Sequence, residues 1–167
     1  GDNTDGQTST LLGNWLAATF PNIYGNDAHD LTGMKNSQVY DLYKSLFKRH
    51  KKSSPGGPPK LDAQVMAVAF ATYVTRNSLA SQIHTGGASQ SAIDHVNSYG
   101  FDITIGGLGA TTVNVGTNGA AFGVSDDSEV SVMDLLLAVD QRSRRGLLFD
   151  GNGDGSIDQT EKQWRVM

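Results

Sequence analysis

The chain has 167 residues, a formal net charge of −4 and no cysteine. It is therefore long enough for one domain with a buried core, and a disulfide scaffold, a thiol nucleophile and a thiolate metal site are excluded. The hydrophobic share of 38% and the charged share of 18% differ from those of disordered chains. No apolar run is as long as a transmembrane helix. The net negative charge argues against a general nucleic-acid-binding protein.

The first half of the chain is predicted to be helical, because its apolar residues recur at helical spacing. Residues 8–10 are expected to cap the first helix, and Pro21 ends it, since proline disfavours the helical region for the residue before it. A polar loop is expected over 22–32, and the Ser/Pro/Gly-rich stretch 53–59 is interpreted as a surface loop. The predicted helices are 11–20, 61–78 and 88–98, together with a helix that begins at Asn36 or Ser37 and ends within 48–52.

Strands are predicted in the second half, where β-branched residues alternate with others. The predicted strands are 101–105, 110–115 and 120–124. Asn118 and Gly119 form a dipeptide typical of a hairpin turn. Ser128 is then expected to cap another helix, Gly146 is expected to end it, and 147–149 are expected to run extended.

Residues 150–161 match the twelve-residue calcium loop at each of its defined positions. Calcium binds hard oxygen ligands, and Asp150, Asn152 and Asp154 alternate, so their side chains are expected to point inward as the chain wraps around an ion. Glu161 is expected to close the site with both carboxylate oxygens. The candidate metal ligands are Asp150, Asn152, Asp154, Ser156 through its carbonyl, Asp158 directly or through water, and Glu161.

An acidic, glycine-rich surface loop without an ion is the alternative interpretation of the same residues. Four acidic groups at such close spacing repel one another unless a cation is present, which favours the calcium loop. The acidic residues of the whole chain agree with this preference, since 15 are Asp and only Glu129 and Glu161 are Glu. Aspartate is typical of caps, turns and loops that bind hard cations.

The loop resembles those of EF-hand and type I dockerin modules. In an EF-hand a helix runs directly into the loop, whereas here the helix is predicted to stop at Gly146, which resembles a dockerin. The glutamate at the twelfth loop position, Glu161, resembles an EF-hand instead. Both families pair two loops, and the chain has one, since residues 2–6 form only a degenerate fragment without the closing acid. The resemblance is confined to this end of the chain and implies no particular partner.

The rest of the chain resembles a poorly characterised module of large, secreted, multi-domain bacterial surface proteins. The segments with this likeness are 12–21, 60–65 and 116–124. The likeness implies an extracellular, non-enzymatic setting and supplies no catalytic residue. It also implies that the chain is a fragment, with natural sequence expected beyond Met167.

Signals for catalysis are weak. The four histidines, His29, His50, His84 and His95, show no paired spacing typical of zinc sites. Ser91, Asp94 and His95 are triad residue types without a nucleophile elbow. A glycosidase would need two facing carboxylates, and the available acids are better explained as caps and solvated residues. These acids are Asp62, Asp94, Asp102 and Asp134.

Basic and aromatic clusters have two interpretations each. The basic run 48–52 with Lys60 can bind an anionic glycan or phosphate, and Arg142, Arg144 and Arg145 form a second group; both runs fall at predicted helix ends, where cations stabilise the macrodipole. Aromatic residues at helical spacing can form a sugar-stacking platform but are more often core. They are Trp15, Phe20 and Tyr24, and Tyr40 and Tyr43.

The sequence therefore predicts a single α+β domain over residues 1–167, mainly helical with a small antiparallel sheet and a C-terminal calcium loop. Its expected role is a calcium-stabilised, non-enzymatic module of a secreted or cell-surface bacterial protein, in adhesion or extracellular assembly. A dockerin-like recognition module and a calcium-supported polysaccharide hydrolase stay open as alternatives. The expected ligand is Ca²⁺; a surface protein, a scaffold protein or a glycan stays open as partner, and neither nucleic acid nor a membrane span is expected.

Overall fold

The computed structural model describes residues 7–26, 29–48, 60–75 and 107–166. In chain order the elements are helices α1 (Leu11–Thr19), α2 (Pro21–Tyr24), α3 (Asn36–Lys48), α4 (Leu61–Val74) and α5 (Gly107–Ala110), strand β1 (Thr112–Asn114), a 3₁₀ helix (Gly116–Asn118), helix α6 (Gly119–Phe122), strand β2 (Glu129–Ser131), and helices α7 (Val132–Gln141) and α8 (Gln159–Val166). The protein is mainly helical with a two-stranded antiparallel sheet, as predicted. The predicted helix 88–98 and the predicted strand 101–105 lie outside the described residues.

The first helix ends where proline predicts, but the polar loop begins later than expected. Helix α1 stops at Thr19, and Pro21 is the first residue of α2, a position that proline tolerates because no intrahelical bond needs its missing N–H. Residues 22–24 are therefore helical rather than loop. Between the two helices Phe20 is fully buried, and Tyr24 is also core, so the core interpretation of these aromatic residues is confirmed.

Helices α3 and α4 pack against each other, and α1, α2 and α7 complete the bundle around them. Helix α3 begins at Asn36, one of the two predicted starts, and buries Val39 and Leu46. Helix α4 is apolar around most of its circumference, which is typical of a helix covered on several sides. Its buried residues Ala63 and Ala69 are small, which favours a close approach of neighbouring helices.

The sheet pairs different residues from those that alternation predicted. Strand β1 lies inside the predicted segment 110–115, but its partner is Glu129–Ser131, with Val113 opposite Val130. The predictions of a strand at 120–124 and a hairpin at Asn118–Gly119 were wrong. Gly119 has a helical φ of −53°, whereas a two-residue hairpin needs positive φ, and a β-carbon there would lie 2.5 Å from the Ser125 carbonyl.

Helix α7 begins and ends at residues other than those predicted. Ser131, not Ser128, is its N-cap, and its hydroxyl accepts a 3.0 Å hydrogen bond from the Asp134 N–H. The helix ends at Gln141, so Gly146, with φ of +76°, belongs to a later turn and is not the helix stop. Among the described residues, no helix is long and apolar enough to cross a membrane.

Candidate metal centre

The chain approaches the loop 150–161 through a turn anchored in the core. Residues 147–149 are not extended as predicted, because Leu147 bridges back to Arg144 and Phe149 has a positive φ of 60°. The Phe149 N–H donates to the Ser143 hydroxyl at 3.2 Å, and that hydroxyl donates to the Val139 carbonyl at 2.6 Å. The last turn of α7 therefore fixes the residue that precedes the first candidate ligand.

Asp150 organises the first half of the loop from a fully buried position. Its Oδ1 accepts a 2.9 Å hydrogen bond from the Gly153 N–H, and its Oδ2 accepts a 3.1 Å bond from the Gly155 N–H. Both glycines have positive φ, 74° and 80°, a conformation that costs other residues free energy. Gly155 thus permits the sharp turn predicted for it, and the backbone curls around the Asp150 carboxylate.

The solvent-facing side of the loop is a chain of short-range hydrogen bonds. Asn152 Oδ1 accepts a 2.9 Å bond from the Asp154 N–H, and Asp154 Oδ1 accepts bonds from the Ser156 hydroxyl at 2.7 Å and N–H at 2.8 Å. These bonds from Ser156, the hydroxyl first and the N–H second, lower the pKa of the Asp154 carboxyl. Asp154 is therefore held in its charged form, which is the form that binds cations.

Asp158 and Glu161 form a capping box at the start of α8. The Asp158 N–H donates to Glu161 Oε2, and the Glu161 N–H donates to Asp158 Oδ1, both at 2.9 Å, so each satisfies a free N–H of the helix terminus. Glu161 Oε1 also accepts a 2.9 Å bond from the Gly151 N–H. The buried Glu161 carboxylate thus joins the end of the loop to its beginning.

Helix α8 is fastened to the rest of the protein by two residues that the sequence analysis did not single out. Arg165 is buried, and its guanidinium donates to the Leu148 carbonyl at 2.5 Å and lies 3.9 Å from Asp62 Oδ1. The Trp164 ring lies 4.7 Å from the Arg142 guanidinium carbon and close to Gly151. An Arg–Trp pair on a terminal helix gives no local sequence signal for these contacts.

The loop supplies suitable chemistry for calcium, but its side chains do not converge on one point. Within the part of the chain that the structure describes, no group of three or more histidine or acidic side chains is arranged to hold a metal ion. The loop oxygens instead accept hydrogen bonds, mostly from backbone N–H groups and in Asp154 also from the side chains of Asn152 and Ser156. The donor set still fits calcium in kind, since it consists of carboxylate, amide and hydroxyl oxygens, and neither Asp150 nor Glu161 forms an ion pair with another described residue.

The other candidate acids that can be placed have structural roles. Asp62 lies beside Arg165, and Asp134 accepts a 2.6 Å bond from the Ser131 hydroxyl at the start of α7. The remaining candidates for catalysis or zinc binding, except His29, lie outside the described residues, as does the degenerate fragment 2–6. These candidates are His50, His84, Ser91, Asp94, His95 and Asp102.

Buried Asp140, which the sequence analysis did not select, is a structural group of the same kind. Its carboxylate accepts hydrogen bonds from the N–H groups of Asn22 and Ile23 and from the Asn22 side chain, all at 3.0 Å. Burial raises the pKa of Asp140, against the lowering effect of these bonds and of Arg144. Through these bonds Asp140 caps the start of α2 from α7.

Comparison with known proteins gives no family or relative from which a metal site could be assigned. A scan against protein-family models gives no match, and searches of curated proteins and of solved structures give none either.

Proposed function

We propose that residues 150–161 bind one calcium ion, and that the chain is a calcium-stabilised, non-enzymatic module of a secreted or cell-surface bacterial protein that serves adhesion or extracellular assembly. One observation carries the proposal: residues with oxygen-bearing groups stand at all six calcium-loop positions, and two of them, Asp150 and Glu161, are buried carboxylates at 0% and 3% exposure.

The energetic reason for a cation is the cost of buried charge. Taking a carboxylate out of water without a compensating positive charge is costly, and hydrogen bonds from N–H groups offset only part of that cost. A calcium ion bound by these oxygens would offset two of the four negative charges of Asp150, Asp154, Asp158 and Glu161. Binding would require the side chains to exchange part of their present N–H bonds for the ion.

The role proposed for calcium is structural. Helix α8 has eight residues, too few to be stable in isolation, and it depends on the loop and on contacts such as that between Arg165 and Leu148. Calcium would fasten α8 to the core in a chain that has no cysteine, where other secreted domains use disulfides. Extracellular calcium is concentrated enough to fill even a weak loop, which agrees with the proposed location.

Thermal unfolding of the 167-residue chain tests calcium binding. Calcium at about one hundred times its dissociation constant adds about 2.7 kcal/mol to the free energy of unfolding, which raises the melting temperature of a protein of this size by about 5–11 °C. Magnesium and excess chelator should give no such rise. Equal melting temperatures in calcium and chelator would refute the calcium site. Antibody labelling of intact source cells tests the surface location separately.

A further inference from the structure

The positive charges of this acidic chain are concentrated in one segment. Residues 42–61 contain six of the 13 Lys and Arg residues and no Asp or Glu, whereas the remainder carries seven Lys and Arg residues against all 17 acids. Such segregation creates a local positive potential on a protein of net charge −4. The described part of this segment is the end of α3 and the start of α4.

Helix α3 presents aromatic rings and lysines together to solvent. One face of the helix carries two aromatic and two basic residues at spacings of three or four from a neighbour in the set. They are Tyr40, Lys44, Phe47 and Lys48. Tyr40 is 55% exposed and Phe47 48% exposed, which is high for aromatic side chains in a helix that buries Val39 and Leu46 on its other side. We call Tyr40, Lys44, Phe47, Lys48 and Lys60 the cationic–aromatic surface.

Two of the ammonium groups in the cationic–aromatic surface are positioned by the rings. Lys60, which precedes α4, places its Nζ 3.9 Å from the centre of the Phe47 ring. Lys44 places its Nζ 4.8 Å from the centre of the Tyr40 ring, while it also lies 3.2 Å from Asp41 Oδ1. These cation–π contacts hold the charges of two helices on one continuous surface.

Stabilisation of helix termini does not account for this arrangement. Lys48 lies in the last turn of α3, where a cation does stabilise the helix dipole. Lys60, however, is at the N-cap of α4, and its side chain makes no capping hydrogen bond. A cation at a helix N-terminus is electrostatically unfavourable, and Lys44 lies in a helix interior beside Asp41, so the helix dipole explains neither lysine.

We propose that the cationic–aromatic surface binds an acidic polysaccharide. Lysine ammonium groups pair with carboxylate or sulfate groups, and the exposed parts of Tyr40 and Phe47 offer apolar contact to the C–H faces of sugar rings. Nucleic acid fits less well, because its closely spaced phosphates would meet the acidic remainder of the chain beyond this surface. An acidic polysaccharide carries fewer charges per unit length and alternates them with less polar ring faces.

Binding of sparsely substituted carboxymethyl-dextran, with uncharged dextran as the matched polymer, tests the proposal on the full 167-residue chain. Fluorescence anisotropy should show binding of labelled carboxymethyl-dextran that weakens with salt, and none of dextran. The variant Lys44→Gln/Lys48→Gln/Lys60→Gln should lose about tenfold or more in affinity as ionic contacts are removed. Lys35→Gln/Lys162→Gln changes two exposed lysines outside the surface and should lose less than about threefold.

Binding measurements with an aromatic variant and with other polyanions distinguish a sugar-binding site from a site for polyanions in general. Tyr40→Ala/Phe47→Ala keeps every lysine and should still weaken carboxymethyl-dextran binding, while polyglutamate and single-stranded DNA should bind more weakly than carboxymethyl-dextran to the unchanged chain. Equal losses in the surface and control variants would overturn the proposal. Equal or tighter binding of polyglutamate or DNA, or no effect of the aromatic variant, would overturn it as well. Melting temperatures of all variants establish that they are folded.

Discussion

Asp140 accepts a 3.0 Å hydrogen bond from the main-chain N–H of Ile23, although the two residues are 117 positions apart in the chain. A second bond, from the Asn22 N–H to the same oxygen, makes Asp140 the cap of α2, whose own N-cap residue Phe20 forms no side-chain capping bond. The carboxylate thus joins the N-terminal helices to α7, the helix that leads toward the loop 150–161.

Replacement of Asp140 by alanine should destabilise the protein. Asp140→Ala leaves the buried Ile23 N–H and the Asn22 N–H without their acceptor, so the free energy of unfolding should fall by about 2–4 kcal/mol. Urea denaturation measures the loss. The matched control Asp134→Ala removes an exposed carboxylate that caps α7 together with Ser131, and it should cost only about 0.5–1 kcal/mol. Equal losses in the two variants would contradict the trans cap.

The buried Asp140 carboxyl should also leave a signature in the pH dependence of stability. Burial raises its pKa in the folded protein above the ordinary aspartate value, so the folded state binds the proton more tightly than the unfolded state. Its contribution to stability is therefore fully present below the unfolded pKa and is lost as the pH rises through the raised pKa.

Comparison with Asp140→Asn isolates this titration from that of the other acids. The unchanged protein should lose stability relative to the asparagine variant as the pH rises from the ordinary aspartate pKa through the raised value. Urea midpoints across acidic to neutral pH measure the difference between the two proteins. A difference that does not change with pH, or one that changes in the opposite direction, would show that the folded pKa of Asp140 is not raised.

Glu161 tests the calcium loop at its closing residue. Glu161→Gln keeps an oxygen that can accept the Gly151 N–H bond but removes the charge and the bidentate carboxylate that calcium requires at this position. The calcium-dependent rise in melting temperature, about 5–11 °C in the unchanged chain, should fall to about 2 °C or less. Glu129→Gln, which alters the only other glutamate, should keep the full rise. A full rise in Glu161→Gln would remove the residue from the proposed ligand set.

Two threonines three residues apart, Thr72 in α4 and Thr75 at the C-cap of that helix, should respond in opposite directions to the same substitution. The Thr72 hydroxyl is buried without a hydrogen-bond partner among the described residues, so Thr72→Val should leave stability unchanged or raise it by about 0.5–1 kcal/mol. The Thr75 hydroxyl donates to the Ala71 carbonyl at 2.8 Å and accepts the Leu108 N–H at 2.9 Å. Thr75→Val should therefore cost about 1–3 kcal/mol, and chemical denaturation of both variants would reveal a reversed order.

Helices were easier to predict from the sequence than strands. The apolar spacing in α1, α3 and α4 extends over several turns, and Pro21 marks a boundary by itself. Strands β1 and β2 have three residues each, which is too short for alternation to distinguish a strand from a helix. The segment 120–124 shows the consequence, since its β-like composition forms α6 and the turn after it.

In the candidate metal site, too, one part was predictable from the sequence and another was not. The spacing of residues 150–161 identified the oxygen-bearing side chains, and the positive φ of Gly155 agrees with the turn expected there. The residues that hold the loop in place, Ser143, Phe149 and Arg165, show no pattern in the sequence. Their contacts arise where the turn after α7 and helix α8 fold against each other.

The sequence by itself determined where most helices lie and how the acidic and amide side chains of 150–161 are spaced, because helical periodicity, proline and glycine act over a few neighbouring residues. Only the tertiary structure decided that β1 pairs with residues 129–131, that Asp140 caps α2 and that Arg165 reaches the Leu148 carbonyl. These contacts join residues as far as 118 positions apart. Burial of the common core brings them together, and no local pattern contains that information.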